Sequence, residues 1–144
     1  MKVVVVAKTR MGSGACIGGV TFDGQSVRLV AVDAEINDHF NQEYEIGDVW
    51  EIEHTTPRSI KPPHVENIVV TSKKKLPPID DVATFIERQM PPQCGGVDLI
   101  FDGLAQATHA GVQYIAARTG IPPYSTMFWR PDKPLALCDD AKRI

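Results

Sequence analysis

Three short apolar runs, Val3–Ala7, Ala15–Phe22 and Val27–Val32, occupy most of the first 32 positions. Val, Ile and Phe dominate them, and these side chains suit a pleated, half-buried surface better than a helix. Asp23-Gly24 separates the second run from the third, and a D-G pair there signals a tight hairpin, since glycine takes up φ > 0 without strain. Between the first and second runs lies Lys8-Thr9-Arg10-Met11-Gly12-Ser13-Gly14, a basic loop with two glycines. The pattern predicts a three-stranded antiparallel meander with cations at one end.

Further along, Asp33–Gln42 is polar, lacks a clear period and reads as a long connection with room for one helical turn. Val49–His54 alternates, with Trp50 and Ile52 predicted to face inward and Glu51 and Glu53 outward. Three prolines between 56 and 63 exclude a central strand there. His64–Thr71 predicts a fifth strand, and five strands by residue 71 point to a small closed or partly open barrel. Lys73–Pro78, with three lysines and two prolines, marks a boundary. Beyond it, Asp80 or Asp81 is placed to cap a short helix whose Val82, Phe85, Ile86 and Met90 share a face. Pro91-Pro92 stops that helix. Val97–Phe101 is a brief apolar run, Gly111–Ala117 fits strand or helix equally, and Ser125–Trp129 and Leu135–Cys138 read as two strands. The expected fold class is therefore mainly β: an OB-like small antiparallel barrel over residues 1–75, with a smaller α+β or second OB-like part over 76–144 packed on it.

Composition bounds the function. At 144 residues, 43% hydrophobic and 23% charged, the chain suits one soluble globular domain or two very small ones sharing a core. No apolar run is long enough to span a bilayer, and no signal peptide is legible, so no membrane partner is expected. Three widely spaced cysteines, Cys16, Cys94 and Cys138, form neither a metal pattern nor a disulfide framework, which favours a cytoplasmic location.

A net charge of −3 argues against a protein that simply coats DNA. The distribution is more telling. Residues 1–30 carry Lys2, Lys8, Arg10 and Arg28 against Asp23, whereas residues 31–56 carry eight carboxylates and no Lys or Arg. Lys73-Lys74-Lys75 forms a second basic block. Segregated charge focuses a field on one face even when the sum is acidic. A solvated face is the preferred account of the acidic segment; a phosphate mimic or a docking face for a basic partner is the sharper one.

The motifs resemble a known family. V-V-V-A-K-T-R, G-A-C-I-G-G-V and V-R-L-V, followed by G-D-V-W-E-I-E and P-P-H-V-E-N-I-V-V, resemble the dual OB-containing domain family. The resemblance covers residues 2–72 as a first OB barrel, and Y-I-A-A-R-T-G-I-P-P-Y-S with P-L-A-L over 97–138 as a shortened second one. It implies nucleic-acid binding, in proteins met mostly in bacterial and phage conflict settings.

Candidate chemistry is sparse. Gly12-Ser13-Gly14 beside Lys8 and Arg10 lacks the G-K-[ST] of a P-loop and is followed by β residues, so a hairpin loop with exposed cations is the simpler reading. His54, His64 and Glu66 suggest zinc or general-base chemistry, but no further ligand stands at a recognisable spacing. A His64–Glu66 hydrogen bond fixing a strand start is preferred. No Ser-His-Asp arrangement or nucleophile elbow occurs, so catalytic residues, metal and cofactors are all expected to be none. Trp50 is assigned to the core, and Trp129 with Arg130 is the candidate stacking platform.

The residues expected to meet nucleic acid, single-stranded in this reading, are thus Lys8, Arg10, Arg28, Lys73, Lys74, Lys75, Trp129 and Arg130. Alternation sends Lys8 and Arg10 to one side; Arg28 joins them only if the register of the third strand allows it. The alternative is a protein–protein interaction module built on the same barrel, because fold does not fix function.

Overall fold

The computed structural model describes residues 1–32, 41–109 and 112–135. Two compact units emerge: Met1–Pro91 with Pro122–Thr126, and the chain from Pro92 to Ile121 and from Met127 onward.

The first unit is built on five strands, β1 (Lys2–Met11), β2 (Gly14–Thr21), β3 (Ser26–Ala31), β4 (Val49–Thr55) and β5 (Asn67–Leu76). They close into a barrel in the order β1-β2-β3-β5-β4, with β4 returning to β1. The meander β1-β2-β3 is antiparallel throughout, as the hydrophobic pattern predicts. One seam differs: β3 and β5 run parallel, Arg28 beside Asn67 through Ala31 beside Val70. An odd number of strands cannot close with every seam antiparallel, so one parallel seam is unavoidable.

Val3, Val5, Ala15, Ile17, Val27, Leu29, Tyr44, Trp50 and Ile52 fill the barrel. Trp50 and Ile52 face inward as their alternation requires, and the Tyr44 ring packs 4.9 Å from that of Trp50. Gly19 lies under this core, where a Cβ would come within 2.3 Å of Val3 Cγ1, so any larger residue forces β1 and β2 apart. The ladder between β1 and β2 slips between Val5 and Ala7. There the 45–48 turn takes up the backbone of Val5, which donates to Asp48 O at 2.9 Å and accepts from Gly47 N at 2.9 Å.

Helix α1 (Val82–Gln89) starts at Asp81, whose carboxylate accepts from Thr84 N at 2.9 Å, and it falls within the first unit. Phe85 on α1 meets Phe22 edge to face at 5.3 Å. The Asp23-Gly24 turn abuts the end of the helix. Gly24 has φ +80°, and a Cβ there would sit 2.7 Å from Gln89 O, so glycine is required on both counts.

Three expectations need correction. The fifth strand begins at Asn67 and runs through Lys73–Lys75 to Leu76; the lysines do not break it. They are carried by β4, which sets Trp50 beside Lys75, Glu51 beside Lys74 and Ile52 beside Lys73. His64 and Glu66 accordingly precede the strand and do not bond each other: His64 meets Arg28, while Glu66 accepts from Ser125 and Thr126. Ser125 and Thr126, expected in a strand, give their N–H groups to that carboxylate instead.

The second unit carries two small sheets among its described residues. β6 (Gln93–Gly95) pairs in parallel with β9 (Trp129–Pro131), and β7 (Ala105–Ala107) pairs antiparallel with β8 (Gln113–Ile115). Within the ambiguous stretch Gly111–Ala117, Gln113–Ile115 forms a strand. Val97–Leu99 forms a 3-10 turn. Residues 33–40 of the acidic connection, and most of the strand expected at Leu135–Cys138, lie outside the described residues. Among the described residues no helix is long and apolar enough to cross a membrane.

Candidate nucleic-acid interface

The barrel register sorts the cations onto different faces. Lys8 pairs with Ile17 and Arg10 with Ala15, and side chains directly opposite each other share a face. Lys8 and Arg10 therefore continue the inner face of β1 beyond the core, where they line an open concavity with Ser13, Gly14, Ala15 and Gln42. Arg28 lies beside Gly18, one residue out of phase with the buried pair Ile17 and Leu29. It thus stands on the outer face. Lys8, Arg10 and Arg28 do not form one patch, because the residue count between them fixes opposite parity.

The lysines are engaged by the acidic segment. Lys8 Nζ lies 2.7 Å from Glu45 Oε1 and donates to Gln42 O at 3.0 Å. Lys73 pairs with Glu43, and Lys75 Nζ lies 2.8 Å from Asp48 Oδ1. Parity explains why: Lys73 and Lys75 alternate with the outward Lys74 and lie beside the inward Ile52 and Trp50. Their ammonium groups sit over rings at the barrel mouth, Lys73 at 4.8 Å from the centroid of Tyr44 and Lys75 at 5.7 Å from that of Trp50. The aliphatic stems cover the core while the charges are neutralised.

Asp48 departs from the expected solvated acidic face. It is 5% exposed and accepts from Glu45 N at 3.0 Å and from the Trp50 indole at 3.4 Å. Burial pushes its carboxyl upward, but the hydrogen bonds from Lys75 and the Glu45 amide, the Lys75 charge and the Trp50 indole outweigh it. Asp48 is held below the ordinary carboxylate value. Tyr44 has no compensating partner for its buried hydroxyl among the described residues, and burial pushes it up to about 12. Among the described residues no three His, Cys, Asp or Glu side chains converge on a possible metal site.

Arg28 is held differently. Its Nη1 lies 2.8 Å from His64 Nδ1, and its Nη2 donates to Cys16 Sγ at 3.2 Å. A guanidinium only donates, so His64 Nδ1 accepts and the ring proton resides on Nε2. Around this pair Ala7, Thr9, Cys16, Ile17, Gly18, Ser125 and Thr126 line a groove of about 280 Å³. The far wall is the 122–126 segment. Glu66 clips it in place, accepting from Ser125 N at 2.7 Å, Ser125 Oγ at 2.8 Å and Thr126 N at 3.2 Å. No carboxylate is among the described residues lining the groove.

Of the other expected contacts, Arg10 donates to Gly12 O at 3.1 Å within its own loop, and Lys74 projects outward beside Glu51. Trp129 and Arg130 lie on β9 of the second unit. The Trp129 indole donates to Gly95 O at 3.0 Å, so this ring is a half-buried anchor of its own small sheet. Sequence reasoning missed His64 as the partner of Arg28 and the Ser125–Thr126 wall. The proline pair before His64 signalled a loop, but nothing in the pattern links residue 66 to residues 125 and 126.

A closed five-stranded barrel in the order β1-β2-β3-β5-β4, with a groove on the outer face of β2 and β3 that extends onto Ala7 and Thr9 of β1, defines an OB-type module. The profile of the dual OB-containing domain family matches residues 1–143, and the chain belongs to that family. No curated protein and no solved structure matches it.

Proposed function

We propose that this chain is a non-catalytic module that binds single-stranded nucleic acid along the outer β2–β3 groove, with Arg28 as its central cation. The observation that carries the reading is the placement of Arg28: it stands in a groove lined, among the described residues, by no carboxylate. OB barrels take up oligonucleotides on this face and on the loops joining strands 1–2 and 4–5. Here Arg10 stands at the end of β1, next to the first of these loops, and the second carries Arg58 and Lys61. Lys74 projects outward as an accessory contact. Lys8, Lys73 and Lys75, each held by a carboxylate, contribute little. The family resemblance adds a bacterial or phage conflict setting.

The test is a fluorescence-anisotropy titration of a labelled single-stranded oligonucleotide, repeated on its duplex and at several salt concentrations. Binding that favours the single strand and weakens steeply with salt is the expected result. No binding at low salt would reject the reading. It would favour the alternative, a protein-docking module, to which the net charge of −3 lends support.

A further inference from the structure

We infer that the β2–β3 groove holds the sugar–phosphate backbone of the strand and does not stack its bases. The inference rests on the nucleic-acid reading above and specifies which part of the ligand the groove takes.

The first ground is the chemistry of the lining. Arg28 uses one terminal nitrogen on His64 and the other on Cys16, which fixes the plane of the guanidinium and leaves its remaining N–H groups for a ligand. With Nδ1 accepting from Arg28, His64 offers Nε2–H, again a donor. Thr9 and Thr126 add hydroxyl groups to the same lining. Ser125 Oγ already donates to Glu66, and both Glu66 oxygens are occupied by the wall they hold. A lining rich in donors and bearing a fixed positive charge matches the acceptor-only oxygens of a phosphodiester. Base edges present donors and acceptors in alternation and need the same of their site.

The second ground is shape. The floor is Ala7 and Gly18, and even a Cβ on Gly18 would press to 3.2 Å against Ala7 Cβ. A floor with no side chain larger than a methyl lets a strand lie close to the sheet but offers no π-face. Among the described residues no Phe, Tyr or Trp lines the groove, and its one imidazole, His64, is tied through Nδ1 to Arg28. Elsewhere in this unit Tyr44 and Trp50 are buried in the core, and Phe22 is engaged with Phe85. Tyr124, half-buried beside the clipped wall, does not line the groove. Binding that tracks phosphates is indifferent to the identity of the bases.

The experiment compares two labelled single strands of about 15 nucleotides, long enough for the ~4–16 that one OB fold covers, at matched salt. One is a thymidine oligonucleotide, the other an abasic strand with the same phosphates. The wild-type chain is expected to bind both within about threefold of each other. The variant Arg28→Ala should weaken both in the same proportion and lower the salt slope by about one. Loss of a stacked base costs about five- to 150-fold. An abasic strand bound more than about fivefold more weakly than the thymidine strand would therefore overturn the inference while leaving the nucleic-acid reading intact. Unchanged binding in Arg28→Ala, with native circular dichroism, would move the contact out of the groove and overturn it as well. Failure of both strands to bind at low salt would defeat the nucleic-acid reading itself.

Discussion

At the mouth of the barrel Lys73 and Lys75 lie over aromatic rings and are paired with Glu43 and Asp48; in the β2–β3 groove Arg28 is held by an imidazole and a thiol. Both regions are cationic. The first is neutralised from within the chain, and its charges serve to hold lysine stems over the core. The second keeps its charge facing a cleft with no carboxylate among the described residues that line it. A cation is available to a ligand only when no acid of its own chain reaches it first, and the barrel closure decides that by bringing residues about 30 positions apart into contact.

The largest expected effect lies at the lysine end. Asp48→Ala removes the acceptor for the Glu45 amide, the Trp50 indole and Lys75 together, and should cost about 2–3 kcal/mol in urea unfolding. Its affinity for an oligonucleotide, referred to the folded fraction, should stay unchanged; a loss there would erase the distinction between the two regions. Because the Asp48 pKa is depressed on folding, its stabilisation is fully present above the ordinary unfolded-state value of 3.8 and is lost as pH falls through the lower folded-state value. The melting temperatures of wild type and Asp48→Asn should therefore converge below about pH 4.

In the groove, Gly18→Val places a branched side chain on the floor against Ala7. It should lower oligonucleotide affinity by about tenfold, or roughly 1.4 kcal/mol, for a stability cost of about 1 kcal/mol. Equal affinity would mean the strand does not approach the sheet. Glu66→Gln replaces one carboxylate oxygen with an N–H donor that faces other donors. The clip should loosen by about 1 kcal/mol, read as faster amide exchange at Ser125 and Thr126 with the barrel amides unaffected. The smallest effect belongs to Lys74→Ala. Lys74 projects outward beside Glu51, and its loss should shift stability by no more than about 0.5 kcal/mol.

Much of the barrel was legible from local pattern. Valine-rich alternation and Asp23-Gly24 specify the meander, Trp50 and Ile52 declare the inner face of β4, and Asp81 announces the helix. The limits were those of non-local geometry. Lys73–Lys75 read as a boundary because three charges break a hydrophobic pattern; Glu51 and the rings of Trp50 and Tyr44, supplied across the barrel, make them a strand. Arg28 was identified as a candidate, but its separation from Lys8 and Arg10 depends on the exact register with Gly18. His64 and the Ser125–Thr126 wall carry no local signal, since their partners lie 36 and about 60 residues away.

The claim that the two cationic regions differ in availability is tested most directly by the salt dependence of oligonucleotide affinity in two variants, Arg28→Ala and Lys73→Ala. A cation that meets phosphate contributes about one to the slope of log K against log salt, and a cation already neutralised by its own chain contributes nothing. The account predicts a slope reduced by about one in Arg28→Ala and a wild-type slope in Lys73→Ala. A reduced slope in Lys73→Ala with an unchanged one in Arg28→Ala would contradict it.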